Sequence, residues 1–356
     1  MNKHAVHPSF SIHGRTISFN DLTEVSYSLI KEGEQFEKQI GEFLLDWIDE
    51  SVTITVKTSG STGTPKTILL KKEQMINSAL ATGYYFNLKP KSTALLCLPA
   101  TYIAGKMMLV RAMVLGLNIQ FLSPSSNPLV GVKDSFDFGA MVPMQVANSL
   151  SRLYQIKNLI IGGAPISTSL RKELKSISND SYETYGMTET ITHIAVKPLN
   201  NGVGENVPFS ILPDVEISID NRDCLVINAP KVSEETVVTN DVVELVSKTE
   251  FHWLGRFDNV INSGGVKLHP EHIEKILSNH IDVPFFVTGV EDDKLGQKVV
   301  LVVENSVESD VQKILKSISE FKKFEKPKSI LISKEFKRTV SGKVQRTKTL
   351  QQILRA

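Results

Sequence analysis

The sequence predicts an α/β protein: a large N-terminal α/β domain closed by a β-rich subdomain, then a small α+β C-terminal domain. Three observations carry that expectation. First, from 93 to 174 apolar strand-like runs alternate with helical patterns. A strand at 93–98 stops at Pro99, a helix covers 103–115, strands occupy 118–122 and 158–161, and a helix starts at Ser167 or Thr168. Such alternation implies helices layered on a largely parallel sheet, where ligands gather beyond the strands' C-terminal ends. Second, from 200 to 256 the texture changes to short β-rich segments at 215–219, 224–228, 241–246 and 251–254, an antiparallel subdomain. Third, a boundary near Arg256-Phe257-Asp258 is followed by a helix at 270–279, strands at 285–290 and 299–304, and a helix at 309–323. The expected domains are therefore 1–257 and 258–356.

Length and charge fit that plan. A chain of 356 residues is long enough for two domains with substantial cores. Its 40 basic and 39 acidic residues nearly cancel, so bulk charge points to no nucleic-acid or membrane-surface partner. Cys97 and Cys224 lack metal-ligand spacing and argue for a reducing compartment. The start lacks an apolar signal core, and the most apolar stretch, around 107–117, contains Arg111 and Gly116. A cytoplasmic protein without a membrane-inserted segment is expected. Residues 1–50 read as an irregular start and then an amphipathic helix, with Phe36, Ile40, Phe43, Leu44 and Trp47 facing the core.

One loop stands out chemically. Thr58-Ser59-Gly60-Ser61-Thr62-Gly63-Thr64-Pro65-Lys66 carries two glycines, five hydroxyls and a lysine between strand-like runs at 52–56 and 67–70. Glycines let successive N–H groups approach an anion closely, hydroxyls add donors, and Lys66 adds a point charge. The spacing is not that of a Walker loop, and a flexible connector has a similar composition. A basic tail over 321–348 contains Thr339-Val340-Ser341-Gly342-Lys343, where a Ser-Gly turn presents a lysine that is otherwise part of a solvated face.

Taken in order, these segments resemble the adenylate-forming superfamily of acyl-CoA synthetases, peptide-synthetase adenylation domains and luciferases. Thr58 to Lys66 is similar to its phosphate loop and Leu98-Pro99 through Gly105 to its acid-pocket motif. Gly162-Gly163-Ala164-Pro165 resembles the adenine-contacting turn, and Tyr185-Gly186-Met187-Thr188-Glu189-Thr190 the Tyr-Gly-x-Thr-Glu signature. Thr239-Asn240-Asp241 resembles the ribose motif, Gly255 to Ile261 with Gly264-Gly265 and Pro270-Glu271 the hinge region, and Thr339 to Arg346 the catalytic-lysine motif. Within the superfamily, the short length and the run from Trp253 to Lys267 look most like the o-succinylbenzoate–CoA ligases of menaquinone synthesis. Three departures stand out. The phosphate loop begins at residue 58, so much of the usual N-terminal subdomain is absent; Tyr102 stands where many relatives have His or another aromatic; Lys337 replaces a common proline.

The resemblance implies a two-step ligase using ATP, Mg²⁺ and coenzyme A, its small domain rotating between steps about Asp258. Lys343 neutralises charge in adenylation, with Thr188 beside it on phosphate oxygens. Glu189 binds Mg²⁺. Thr58, Ser59, Gly60, Ser61, Thr62, Gly63, Thr64 and Lys66 hold the leaving phosphates. Gly163, Ala164, Pro165, Tyr185, Gly186 and Met187 surround adenine, while Asp241 and Arg256 take the ribose. Tyr102, Ile103 and Gly105 line the acid pocket, with the glycine admitting a ring. Lys106 or Arg111 supplies a cation for a second carboxylate, and His193 either faces that pocket or is structural. Gly264, Gly265 and Lys267 serve the CoA step. Asp241 and Arg256 are also a natural ion pair, and Tyr185 a natural core residue. Alternatives are a ligase for another aryl or short-chain acid, a carrier-protein-loading adenylation enzyme, and an inactive nucleotide-binding module. Sequence leaves the oligomeric state unassigned.

Overall fold

A computed structural model describes residues 6–57, 67–204, 206–338 and 344–355. Its largest feature is one 13-stranded sheet. Ser11–Ile12, Asn118–Phe121, Thr93–Leu96, Phe136–Met141, Ile156–Ile161 and Asp180–Gly186 lie side by side, all parallel. At Asp180–Gly186 the sense changes. His193–Pro198 pairs with it antiparallel, followed by Phe209–Ile211, Glu250–Arg256, Val237–Leu245, Cys224–Asn228 and Glu216–Ile219. The β-rich, antiparallel region expected to close the large domain is continuous with the parallel strands as the second half of one sheet. The joining strands carry weak local signals: Asp137 and Gly139 interrupt one, and Tyr182-Glu183-Thr184-Tyr185 makes another polar and aromatic rather than aliphatic.

Side-chain alternation sorts the parallel half into two cores. Ala94, Leu96, Phe138 and Ile160 face the helices Lys72–Tyr85 and Ile103–Leu115. Leu95, Cys97, Phe136, Met141, Leu159 and Ile161 face Val146, Leu170 and Leu174 on the helices Pro143–Asn148 and Thr168–Leu174. Helices on both faces are what a parallel sheet requires. The 103–115 helix is apolar nearly all round and buried nearly all round, Arg111 included. Gln35–Ile48 buries Ile40, Phe43, Leu44 and Trp47, as their spacing predicts, and a helix over Leu22–Glu32 precedes it where an irregular start was expected.

A second, five-stranded sheet contains Ile261–Ser263, Val266–Leu268, Phe285–Asp292, Gly296–Glu304 and Ser329–Ser333. One face sets Val287, Val299, Leu301 and Val303 against Ile273, Leu277, Val311 and Leu315 of the helices Pro270–Leu277 and Glu308–Ser317. The other sets Phe286, Val300 and Val302 against Phe336 and the C-terminal helix Arg346–Arg355. It meets the large sheet's surroundings through Asn259, which donates to Glu271 at 2.6 Å, and through the paired hydroxyls of Thr168 and Ser278. Thr53–Lys57 and Thr67–Lys71 form a separate hairpin with Lys57 opposite Thr67. Among the described residues, no helix is long and apolar enough to cross a membrane.

Candidate active site

Two of the sequence-marked segments, 162–165 and 185–190, lie at the C-terminal ends of neighbouring parallel strands. After Ile156–Ile161 the chain enters Gly162–Pro165, with Gly163 at φ +83° and residues 163–165 exposed. This turn lies beside the next strand, because Thr184 donates its hydroxyl to the Ile161 carbonyl at 3.2 Å. The same hydroxyl fills the space where Gly162 would carry a Cβ.

Asp180–Gly186 then turns back through residues 187–192 into His193–Pro198. Thr188–Thr190 is one 3₁₀ turn that leaves Glu189 exposed and Thr188 half-buried. Thr190 is buried, and its hydroxyl meets the Met187 and Thr192 carbonyls and the Met187 N–H. Ile191 follows at φ 66° and ψ −67°, with the Thr192 N–H bonded to the Thr190 carbonyl at 2.8 Å. That is a γ-turn of the rare, strained hand, and on a β-branched residue it is an outlier held by its surroundings. Gly186 makes the return possible: a Cβ there would stand 2.1 Å from the Thr192 carbonyl oxygen and 2.5 Å from His193 Cα. Among the described residues no three His, Cys, Asp or Glu side chains form a metal cage. The exposed Glu189 suits a magnesium ion held by one carboxylate together with water and phosphate oxygens.

On the antiparallel side, Asp241 is the centre of a donor cluster. Tyr185 donates its hydroxyl to Asp241 Oδ2 at 2.7 Å, while Trp253 Nε1 and Arg256 Nη1 donate to Oδ1 at 3.1 and 3.3 Å. The Asp241 N–H bonds to Thr239 Oγ1 at 3.0 Å, which fixes the backbone beneath the carboxylate. Register explains the meeting, since Asp241 is paired with Arg256 across neighbouring strands. The Tyr185 ring packs against Phe209 and Phe251 at 5.9 and 5.3 Å, so it has a core role. Burial and then the Asp241 charge push its phenol well above the usual range. Trp253 had no site role in the sequence; its register opposite Val243 was the missing information.

The acid-pocket segment sorts less cleanly. Tyr102 is exposed and flanks the N-terminus of the 103–115 helix, where Ile103 is half-buried. Gly105 does not open room for a ring: a Cβ there would meet the Pro99 carbonyl oxygen at 2.2 Å, so its smallness lets the helix approach the 98–99 backbone. Lys106 is not brought to the other site residues among those described. Its ammonium lies over the Phe43 ring at 4.6 Å, towards Glu42 and Asp46, and burial lowers its pKa.

Arg111, by contrast, reaches the hairpin that carries Glu189. It is fully buried and donates to Thr82 Oγ1 at 3.3 Å, Thr192 Oγ1 at 3.2 Å and the Met108 sulfur at 3.7 Å, all neutral acceptors. Burial lowers it to about 10, so it is still a cation at neutral pH. His193 lies nearby with a buried Nε2 that has no hydrogen-bond partner among the described residues, its pKa pushed well below normal by burial and then by Arg111.

Asp258 sits in the 3₁₀ turn Phe257–Asn259, 3.7 Å from Arg256 and accepting from Asn240 at 3.3 Å. Gly264 and Gly265, both at positive φ, form the two-residue turn between Ile261–Ser263 and Val266–Leu268, with Lys267 exposed beyond it. The phosphate-loop residues 58–66 and Lys343 lie outside the described residues.

A parallel sheet with helices on both faces belongs to the class of open α/β folds, in which ligands bind beyond the carboxyl ends of the strands. The family model for the AMP-binding enzyme matches residues 47–229, more than half of the chain, and the chain belongs to that family. It is 26% identical over 365 aligned positions to 2-succinylbenzoate–CoA ligase of Listeria monocytogenes, covering 94% of this chain and 75% of that one. A solved acyl-CoA synthetase (AMP-forming)/AMP-acid ligase II-like protein from Dyadobacter fermentans is 35% identical, with 93% and 98% of the two chains covered and a TM-score of 0.63. The fold also matches o-succinylbenzoate CoA synthetase from Bacillus subtilis in complex with the acyl-adenylate OSB-AMP. There the TM-score is 0.76 at 15% identity, over 98% and 95% of the chains.

Proposed function

We propose that this chain is an ATP-dependent acid–CoA ligase that makes an acyl-adenylate and then a thioester, with o-succinylbenzoate as its preferred acid. The observation that carries the ligase reading is the meeting of Gly163–Pro165, Tyr185–Glu189, Asp241 and Arg256 around one sheet edge. A carboxylate is a poor electrophile, so its oxygen first attacks the α-phosphate of ATP and pyrophosphate leaves. The nucleophile is already an anion, so this step needs positioning and charge neutralisation rather than a general base. The CoA thiol, as thiolate, then attacks the acyl carbon and AMP leaves.

Residue roles follow. Asp241 accepts from a ribose hydroxyl, and Tyr185, Trp253 and Arg256 hold that carboxylate in place. Glu189 is the protein ligand for Mg²⁺, which neutralises phosphate charge when bound. Thr58 to Lys66 hold the leaving phosphates, Lys343 serves the bond being made, and the turn of Gly264, Gly265 and Lys267 serves the CoA step. Asp258 is the pivot between a domain of 1–257 and one of 258–356.

Arg111 supports an acid with a second carboxylate. A buried cation satisfied only by neutral acceptors has charge left to offer an anion. The test is ATP–pyrophosphate exchange with a panel of carboxylic acids, followed by thioester formation with CoA. Fast exchange and thioester formation with o-succinylbenzoate are expected. Exchange without thioester marks a carrier-loading enzyme, and exchange with no acid marks a binding module. Lys343→Ala is expected to lose about 10²–10³-fold in adenylation and to retain thioester formation from supplied acyl-adenylate.

A further inference from the structure

The turn that carries Glu189 is fastened from inside by the three residues that follow it. Gly186 and His193 pair across the neighbouring strands, and residues 187–192 form the turn between them. The buried Thr190 hydroxyl accepts from the Met187 N–H at 3.2 Å and lies 3.1 and 2.9 Å from the Met187 and Thr192 carbonyl oxygens. The Ile191 side chain is fully buried in the core that also holds Met75 and Met108. The Thr192 hydroxyl lies 3.2 Å from Ser78 Oγ and accepts from Arg111 Nη2 at 3.2 Å.

Ile191 holds its place at φ 66° and ψ −67°, with the Thr192 N–H bonded to the Thr190 carbonyl across it. Glycine adopts positive φ without steric cost, and turns that require it ordinarily take glycine or asparagine. A β-branched residue is poorly suited to this conformation. What isoleucine supplies and glycine cannot is a side chain that fastens the turn to the core. Backbone strain and anchor therefore come together, two residues from Glu189.

Glu189 needs such an anchor. It is exposed, so the direction of its carboxylate comes from the backbone that carries it. Among the described residues no three His, Cys, Asp or Glu side chains form a cage that could share an ion. Mg²⁺ demands near-octahedral geometry, and a lone carboxylate that meets it beside water and phosphate oxygens must already point the right way.

We propose that Ile191 is a positioning residue for Glu189. Its buried side chain holds the 187–192 turn in a strained form that keeps the Glu189 carboxylate aimed at magnesium-bound phosphate. The proposal rests on the reading of Glu189 given above.

The test uses the full chain with four substitutions. Ile191→Ala keeps the strain and loses the anchor, Ile191→Gly loses both, Ile191→Val keeps both, and Glu189→Gln removes the ligand. Glycine is ordinarily less stable than alanine in a folded chain, yet Ile191→Gly is expected to melt at or above Ile191→Ala. The reverse order overturns the proposal. Amide hydrogen exchange of residues 187–192 is expected to quicken about 10-fold in Ile191→Gly and Ile191→Ala, and to stay unchanged in Ile191→Val. Unchanged exchange in the first two also overturns it. Calorimetry then compares ATP binding with and without Mg²⁺. The tightening that Mg²⁺ gives is expected to fall about 10-fold in Ile191→Gly and Ile191→Ala and to be retained in Ile191→Val. Equal weakening with and without Mg²⁺ marks a residue that only supports the fold, and overturns the proposal. If Glu189→Gln keeps the full tightening, the reading of Glu189 fails. If Glu189→Gln loses it while Ile191→Gly and Ile191→Ala keep it, the positioning claim alone fails.

Discussion

The Asp241 corner and the surroundings of Arg111 handle buried charge in opposite ways. Asp241 is an anion surrounded by donors: a phenol, an indole and a guanidinium share its two oxygens. Arg111 is a cation buried more deeply, and two hydroxyls and a thioether are its acceptors. A carboxylate has about four acceptor sites, so three donors leave it one direction and a fixed orientation, suited to neutral hydroxyls such as those of ribose. A guanidinium on neutral acceptors retains most of its attraction for an anion. The first group is thus an anion met by donors, and the second a cation met by neutral acceptors. One hairpin joins them, with Tyr185 reaching Asp241 before the turn and Thr192 reaching Arg111 after it.

Arg111→Met is the strongest way to break the contrast. If the guanidinium meets a substrate carboxylate, kcat/KM for o-succinylbenzoate falls about 10²–10³-fold while that for benzoate changes little, since losing one partner of a buried pair removes several kcal/mol. The melting midpoint should hold or rise, because an uncompensated buried charge is gone. A collapsed midpoint with both acids equally affected would make Arg111 a structural cation. Gly186→Ala disturbs both ends at once. Its Cβ overlaps the Thr192 carbonyl and His193 Cα, so a loss of about 1–3 kcal/mol in unfolding free energy is expected, with KM raised for both ATP and acid.

Trp253→Phe sharpens the comparison from the other side. Removing one neutral donor from Asp241 should cost about 0.5–1.5 kcal/mol, seen as a higher KM for ATP with kcat for the acid unchanged. The smallest effect concerns His193. Its folded pKa is depressed, so below the unfolded value near 6.5 the unfolded chain binds the extra proton and the native state does not. Stability therefore falls as pH drops through 6.5 towards the folded pKa, by up to about 1 kcal/mol between pH 7 and 6. His193→Gln should flatten that part of a melting-point profile; an unchanged slope would mean that His193 protonates without penalty.

Much of the plan is local and therefore readable in the chain. The spacing of Phe36, Ile40, Phe43, Leu44 and Trp47 dictates a helix with one buried face, and Gln35–Ile48 has it. Apolar runs closed by Pro99 and by Gly162-Gly163 dictate strands whose ends carry loops, and the strands Thr93–Leu96 and Ile156–Ile161 end at those loops. The order of hydroxyl-, glycine- and carboxylate-bearing motifs was likewise present without any coordinates. The tertiary structure alone decided what faces what. Lys106 and Arg111 share one helix, yet one lies over Phe43 and the other reaches Thr192. Gly105 yields its space to the Pro99 carbonyl, Trp253 finds Asp241 across a strand register, and the β-rich region joins the parallel strands in one sheet. Helical and strand periodicity fix which residues share a face. Which neighbour that face meets depends on contacts between positions far apart in sequence, and no local pattern records them.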